Sequence, residues 1–121
     1  MIILTQSFLQ KEFKQVKKHY TIEDIKKSIE KIDTSADTLS DLGYKNGKLM
    51  KLRVANKVSG RLVVYVFVKT NLVVPVVVRL KKDKIFGENL SMENKKAKAL
   101  IVKMLDLAIV DIENGNYKKV V

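Results

Sequence analysis

Two long runs of β-branched residues constrain the fold of this chain most strongly. Residues 61–69 (RLVVYVFVK) and 72–80 (LVVPVVVRL) are almost continuously apolar, and a two-residue link separates them. Such runs are typical of buried β-strands, and a link this short joins neighbours in an antiparallel sheet. Residues 48–54 precede them and alternate between apolar and basic side chains. The sequence therefore predicts a three-strand meander, in which Pro75 marks an edge strand or a bulge because it cannot donate a ladder hydrogen bond.

The segment before the meander predicts a strand and two helices. Residues 1–5 form a short apolar run that reads as the first strand. Ser7 with Gln10, and then Thr21 with Asp24, have the spacing of helix capping boxes, so that a helix is expected to begin at each. The apolar stripe of the second helix consists of Ile22, Ile25, Ile29 and Ile32. The polar residues 33–47 are expected to form a loop.

A long helix is predicted after the meander, from Ser91 to about Glu113, where Asn114-Gly115 ends it. Between positions 99 and 112, 11 of 14 residues are apolar, more than a helix needs to cover a sheet. Two interpretations remain: another chain covers part of this helix, or the helix lies between the sheet and the first two helices. The predicted fold class is α+β, with the order β-αα-βββ-α in a single domain over 1–121: an antiparallel sheet, made of the meander and the N-terminal strand, packed against helices.

The positive charge of the chain is concentrated in the same region as the strands. Residues 45–84 contain 11 Lys or Arg and a single acid, Asp83, so that this segment carries +10 of the total charge of +11. A basic sheet flanked by nearly neutral helices is typical of a protein that binds a phosphate backbone. A nucleic acid is therefore the expected partner.

Composition excludes several other classes of function. The chain has no cysteine and one histidine, which excludes disulfide scaffolds, thiolate zinc sites and cysteine nucleophiles. The basic segment has no cluster of acids for a two-metal nuclease and no glycine-rich phosphate loop, so that neither a metal nor a cofactor is expected. Three charged residues interrupt the apolar stretch 99–112, and the N-terminus lacks the pattern of a signal peptide. We expect a soluble, cytoplasmic protein that does not enter a membrane.

Strand periodicity places several cations on common faces. Lys51 shares a face with Arg53, Arg61 shares one with Tyr65 and Lys69, and Arg79 shares one with Lys81. If the meander brings these faces together, one side of the sheet gathers the cations around a groove. They would then either stabilise a phosphoryl transition state or only position a nucleic acid by its phosphates. Tyr65 would be either a buried core residue or, if it faces the groove, a group that stacks on bases and transfers protons.

The basic segment resembles the RelE/ParE superfamily of type II toxin–antitoxin toxins. The resemblance lies in three elements: KLR at 51–53, RLVVY at 61–65 and VVVRLKK at 76–82. It covers about residues 1–85, so that 91–113 would be an additional C-terminal helix.

The resemblance implies a toxin that a cognate antitoxin inhibits and that cleaves messenger RNA at the ribosome without a metal. Lys51 and Arg53 would bind phosphate or act as base, Arg61 would stabilise the pentacoordinate phosphate, and Arg79 or Lys81 would assist. Further expected contacts to nucleic acid are Lys48, Lys57, Tyr65, Lys69, Lys81, Lys82 and Lys84. As a separate hypothesis, the apolar surface of the last helix, with Leu100, Met104 and Leu107, would contact an antitoxin or a second copy of the chain.

One departure from the family leaves alternatives open. RelE-like nucleases often have a Tyr or His proton donor shortly after the last strand, whereas the nearest aromatic residue here is Phe86. A ParE-like inhibitor of gyrase and a non-catalytic nucleic-acid-binding module therefore remain as alternatives to the endoribonuclease.

Overall fold

The protein has an α+β fold built around one mixed sheet. The computed structural model describes residues 1–32, 37–40, 47–83 and 91–120. The elements, in chain order, are β1 (Ile2–Thr5), α1 (a π-helical stretch Phe8–Phe13 that continues as the α-helical Lys14–Val16), α2 (Ile22–Glu30), β2 (Asp37–Ser40), β3 (Gly47–Arg53), β4 (Gly60–Phe67), β5 (Leu72–Leu80), α3 (Lys95–Glu113) and β6 (Tyr117–Val120). In these ranges, no helix combines the length and the apolarity needed to cross a bilayer.

The predicted meander and N-terminal strand are confirmed, and two further strands extend the sheet. Its strand order is β2-β3-β4-β5-β1-β6. β1 lies parallel to β5, so that the prediction of an antiparallel sheet is wrong for the N-terminal strand, whereas the other neighbouring strands are antiparallel. β2 falls in the segment 33–47 that was expected to be a loop, and that prediction is wrong for Asp37–Ser40. β6 follows the turn at Gly115 and pairs with β1, which the sequence analysis did not predict.

A β-bulge lies next to Pro75, which confirms one of the two alternatives predicted for that residue, a bulge or an edge strand. Val63 pairs with Val77 and Val64 pairs with Pro75, so that Val76 is an extra residue on β5. The strand lies between β4 and β1, which excludes the alternative of an edge strand. The bulge allows a proline inside the sheet because the ladder is locally interrupted there.

Both faces of the sheet are buried, each under different helices. On one face, which we call the α1/α2 face, Leu4, Leu52, Leu62 and Val64 pack with the apolar residues of α1 and α2. On the opposite face, the α3 face, the buried strand residues are Ile3, Leu49, Val63, Tyr65, Val74, Val76 and Val77, and they pack against α3. This explains why β4 and β5 have nearly continuous apolar sequences, since both sides of these strands face a core. α3 therefore does not lie between the sheet and the first two helices, and that interpretation was wrong.

The beginning of α1 differs from the capping box that Ser7 and Gln10 predicted. Ser7 has helical backbone angles and its side chain caps nothing. Instead, Thr5 Oγ1 accepts a hydrogen bond from the amide of Phe8, at 3.2 Å, and the carboxylate of Asp111 accepts one from the amide of Ser7, at 2.7 Å. The amides at this helix end are thus satisfied by a strand residue and by the far end of α3.

The other helix boundaries agree more closely with the sequence. The Thr21 and Asp24 capping box is present in both directions, at 3.1 Å and 2.9 Å. α3 ends at Glu113 as predicted, but it begins four residues after Ser91, where Asn94 Oδ1 accepts hydrogen bonds from the amides of Lys96 and Ala97. Asparagine is among the best N-cap residues, which accounts for this start.

Candidate functional site

The strand register brings three arginines into one row at the end of the meander. Arg53 of β3 pairs with Arg61 of β4, which pairs with Arg79 of β5. Residues directly opposite one another in antiparallel strands have side chains on the same face. Like charges in this arrangement destabilise a sheet unless they have counter-charges, and the three arginines differ in this respect.

Arg53 and Arg61 line a basic cleft at this end of the sheet. The cleft has a volume of about 270 Å³, and Lys81, which follows β5, provides a third cation. Arg53 and Lys81 are exposed, and Arg61 is half-buried. No acidic residue is among the described residues that line the cleft. Three cations without a carboxylate make a site that attracts an anion, and guanidinium groups suit phosphate oxygens in particular.

The loop between β3 and β4 forms one wall of the cleft and is firmly attached to the helices. Asn56 Nδ2 donates to Asp24 Oδ2 at 2.8 Å and to the carbonyl of His19 at 3.3 Å, while its Oδ1 accepts from the amide of Val58. The amide of Ala55 donates to Ser28 Oγ at 2.8 Å. The wall is therefore held in place before any ligand binds, which lowers the cost of binding.

Tyr20 anchors the same loop from below. Its hydroxyl donates to the carbonyl of Val58 at 2.7 Å. Burial raises the pKa of Tyr20, the charge of Asp24 raises it further, and the charge of Arg61 lowers it. Gly60 makes room for this side chain, because a Cβ atom at position 60 would collide with the Tyr20 hydroxyl. Packing against Tyr20 therefore fixes the backbone at Gly60, the residue before Arg61.

Arg79 differs from its two neighbours because its charge is compensated inside the protein. Its Nε and Nη2 donate to the two carboxylate oxygens of Glu12, at 3.1 Å and 2.8 Å, and Asp83 lies 3.6 Å from Nη1. Glu12 Oε1 also accepts from the amide of Val78. Only 10% of the Arg79 side chain and 2% of the Glu12 side chain are exposed. The arginine expected to assist at the phosphate is therefore a buried ion-pair partner beside the cleft.

The other predicted nucleic-acid contacts are divided between the two ends of the meander. Lys57 and Lys82 are exposed near the cleft, and Lys51 is half-buried two residues before Arg53 on the same face. Lys48 pairs with Val66 at the opposite end, about 17 Å along β3 from Arg53. Lys69, in the turn between β4 and β5, is at that distant end as well. Lys84 and Phe86 lie outside the described residues.

Tyr65 does not reach the surface and cannot stack on a base in this structure. Its side chain is completely buried on the α3 face, where it makes an edge-to-face contact with Phe67 at 5.0 Å between ring centroids. Gly47 on the neighbouring strand leaves the space that the ring occupies. Of the two interpretations of this tyrosine, the core residue is confirmed.

The α3 residues that were expected to contact an antitoxin or a second copy pack mainly against the protein's own core. Met104 is buried against the sheet, and Leu100 and Leu107 pack beside it at the edge of the same core. Val110, which is 50% exposed, is the large apolar side chain of α3 with the most accessible surface among those described. The high apolar content of this helix is thus explained largely by intramolecular packing.

Sequence reasoning found the cations of the cleft but not the residues that hold them in place. These residues, Asn56, Tyr20 and Glu12, contribute through contacts between distant segments, and no local pattern indicates them. Within the described ranges, no three His, Asp or Glu side chains lie close enough together to hold a metal ion. No protein-family model, curated protein or solved structure matches this chain.

Proposed function

We propose that this chain is the toxin of a type II toxin–antitoxin pair, a RelE-like endoribonuclease that cleaves messenger RNA. The observation that carries the proposal is the acid-free cleft in which Arg53, Arg61 and Lys81 converge. The resemblance of residues 51–53, 61–65 and 76–82 to this superfamily supports it, as does the order of a strand, two helices and a meander that the resemblance implies.

The chemistry that fits the cleft is attack of a ribose 2′-oxygen on its own 3′-phosphate. The bond from the 2′-oxygen to phosphorus forms as the bond to the 5′-oxygen of the next nucleotide breaks, which gives a cyclic phosphate and a 5′-hydroxyl. The attacking hydroxyl loses one proton and the leaving oxygen gains one, so that no co-reactant is needed. Arg53 and Arg61 would stabilise the additional negative charge on the pentacoordinate phosphate. Since an arginine stays charged, the first proton would go to the neutral form of an amine, that of Lys51 or Lys81, and an ammonium group would return a proton to the leaving oxygen.

The test is to express the chain without an antitoxin in a bacterial host and to map new 5′ ends of messenger RNA. We expect ends within coding regions that are absent for Arg61→Ala, since loss of one transition-state donor lowers the rate by about 10²- to 10³-fold. Arg61 is half-buried and its Nη1 donates to the carbonyl of Gly60 at 3.3 Å, a contact whose loss should leave the fold intact. Lys119→Ala is the matched control, because it removes one exposed positive charge on β6, away from the cleft.

Three results of this experiment have different meanings. New ends that require Arg61 but not Lys119 support the endoribonuclease. Growth arrest with intact messages contradicts it and favours the gyrase-type inhibitor. The absence of both growth arrest and cleavage would contradict a toxin of either kind. A basic nucleic-acid-binding module would then be the remaining interpretation.

A further inference from the structure

The basic cleft continues into two neighbouring depressions along the end of the sheet. The second depression, of about 370 Å³, is lined by Val58, Ser59, Lys81 and Lys82, and it shares Ser59 and Lys81 with the cleft. The third, of about 230 Å³, shares Lys82 with the second and reaches Gln15 on α1. Because neighbouring depressions share lining residues, they lie side by side, and we refer to the three together as the groove. It crosses the ends of β3, β4 and β5, a width of about 10 Å, and then continues to α1.

The charges along this groove are unequal. The cleft has Arg53, Arg61 and Lys81, and the part nearest α1 has Lys82 as its exposed cation, because Arg79 there is paired with Glu12 and Asp83. Half-buried Val58 provides an apolar wall between the two ends. A groove with cations at intervals and an apolar wall suits the backbone and the sugars of a single strand without selecting a base sequence.

We propose that the whole groove binds single-stranded RNA, with Lys82 contacting a phosphate at least one nucleotide away from the phosphate in the cleft. This proposal rests on the proposed function, and it adds that the substrate is a strand of several nucleotides that must cross the end of β5. Lys82 is a binding residue outside the chemical centre. A dinucleotide fills only the cleft, and a longer strand also reaches Lys82.

The test measures binding of 2′-O-methyl oligouridylates, which lack the attacking hydroxyl and cannot be cleaved. Fluorescence anisotropy gives the Kd of a dinucleotide and of a hexanucleotide over salt concentrations of about 50 to 300 mM. We expect Lys82→Ala to weaken the hexanucleotide about fivefold at low salt and to reduce the slope of log K against log salt by about 0.7. It should leave the dinucleotide unchanged. Arg61→Ala should weaken both ligands, and Lys119→Ala should weaken neither.

Three outcomes overturn the proposal. Equal effects of Lys82→Ala on the dinucleotide and the hexanucleotide would show that Lys82 contributes only a general charge. No effect on either ligand would show that Lys82 does not contact the bound strand. An acidic peptide of equal charge that competes as well as the hexanucleotide would identify a protein ligand instead. The length dependence is measured without cleavage. Failure of the messenger RNA experiment therefore leaves this result intact as evidence for a binding groove, and cleavage without length dependence refutes the groove alone.

Discussion

The ion pair between Glu12 and Arg79 is the residue-scale feature on which the end of β5 most depends. β1 ends at Thr5, and beyond it α1 places Glu12 against the edge of β5, where the carboxylate accepts from the Val78 amide and from the Arg79 guanidinium. The Glu12 carboxylate thus accepts a hydrogen bond from an amide at the edge of β5 and also neutralises the buried charge of Arg79. Removal of a single partner from such a pair leaves the other charge buried and uncompensated.

We therefore predict that Glu12→Ala lowers the free energy of unfolding by about 3–5 kcal/mol. Urea denaturation followed by circular dichroism measures this change. Glu93→Ala, which removes an exposed acid before α3, is the control and should change stability by no more than about 0.5 kcal/mol. Equal stability of the two variants would mean that the pair contributes nothing to the fold.

At this scale, strand periodicity placed the basic residues on common faces, but it could not show which of them are exposed to a ligand and which are paired inside the protein. Arg53, Arg61 and Arg79 look alike in the strand pattern, and the position of α1, which brings Glu12 to Arg79, cannot be read from that pattern. Tyr65 was ambiguous for the same reason. Its burial depends on α3, which is about 30 residues further along the chain.

At the scale of elements, α2 illustrates a boundary that the local sequence fully determines. The capping box of Thr21 and Asp24 was predicted from spacing and is present. The hydrogen bond from the Thr21 amide is the largest cause that lowers the pKa of Asp24 below its ordinary value of 3.8, and Asn56 contributes another hydrogen bond. The folded state thus favours the charged carboxylate, which adds stability above pH 3.8 and loses that contribution as the pH falls through the folded-state pKa.

The predicted consequence is a pH-dependent difference between the wild type and Asp24→Asn. The wild type should be more stable above about pH 4, and the difference should shrink as the pH is lowered below that value. Urea denaturation over a series of pH values measures it. Glu23→Gln removes an exposed charge from the same turn without altering the box and corrects for the general effect of charge. A difference that stays constant over the whole pH range would contradict the role assigned to the box.

The elements that were missed lack a local signal. β6 (Tyr117–Val120) contains two consecutive lysines and does not alternate, and its strand conformation depends on pairing with β1. β2 is a tetrapeptide with three polar residues out of four, and it pairs with β3. α1 begins after Ser7 as predicted, but its capping was misassigned because the group that accepts from the Ser7 amide, Asp111, lies 104 residues away. Capping across such a distance cannot be inferred from the spacing of Ser7 and Gln10.

At the scale of the whole molecule, the sheet is the middle layer between two helical layers. The sequence predicted helices packed on a sheet, but it did not assign α3 to the face opposite α1 and α2. That assignment makes α3 part of the core rather than an addition to a core formed by residues 1–85. The side chains that α3 covers include Ile3 and Leu49, which belong to strands far apart in the chain.

We predict that a chain truncated after residue 93 loses cooperative thermal unfolding and binds a hydrophobic dye, because the α3 face of the sheet becomes exposed to water. Truncation after Asn116 removes β6 and retains α3, and it is the matched control. The β6 residues are mainly exposed, so that this shorter deletion should preserve a cooperative transition. A cooperative transition in the 1–93 fragment would show that α3 is dispensable for the core.

The bulge keeps Arg79 in its row although β5 contains one extra residue. Before the bulge, even-numbered residues such as Val74 lie on the α3 face, whereas after it odd-numbered residues such as Val77 do. Without a bulge, one additional residue would move every later side chain of the strand to the other face. The bulge absorbs that residue, so that deletion of Val76 alone would leave Val77 opposite Val63 and Arg79 opposite Arg61. When related sequences are aligned, a gap of one residue between Pro75 and the next arginine is thus compatible with the same row of arginines.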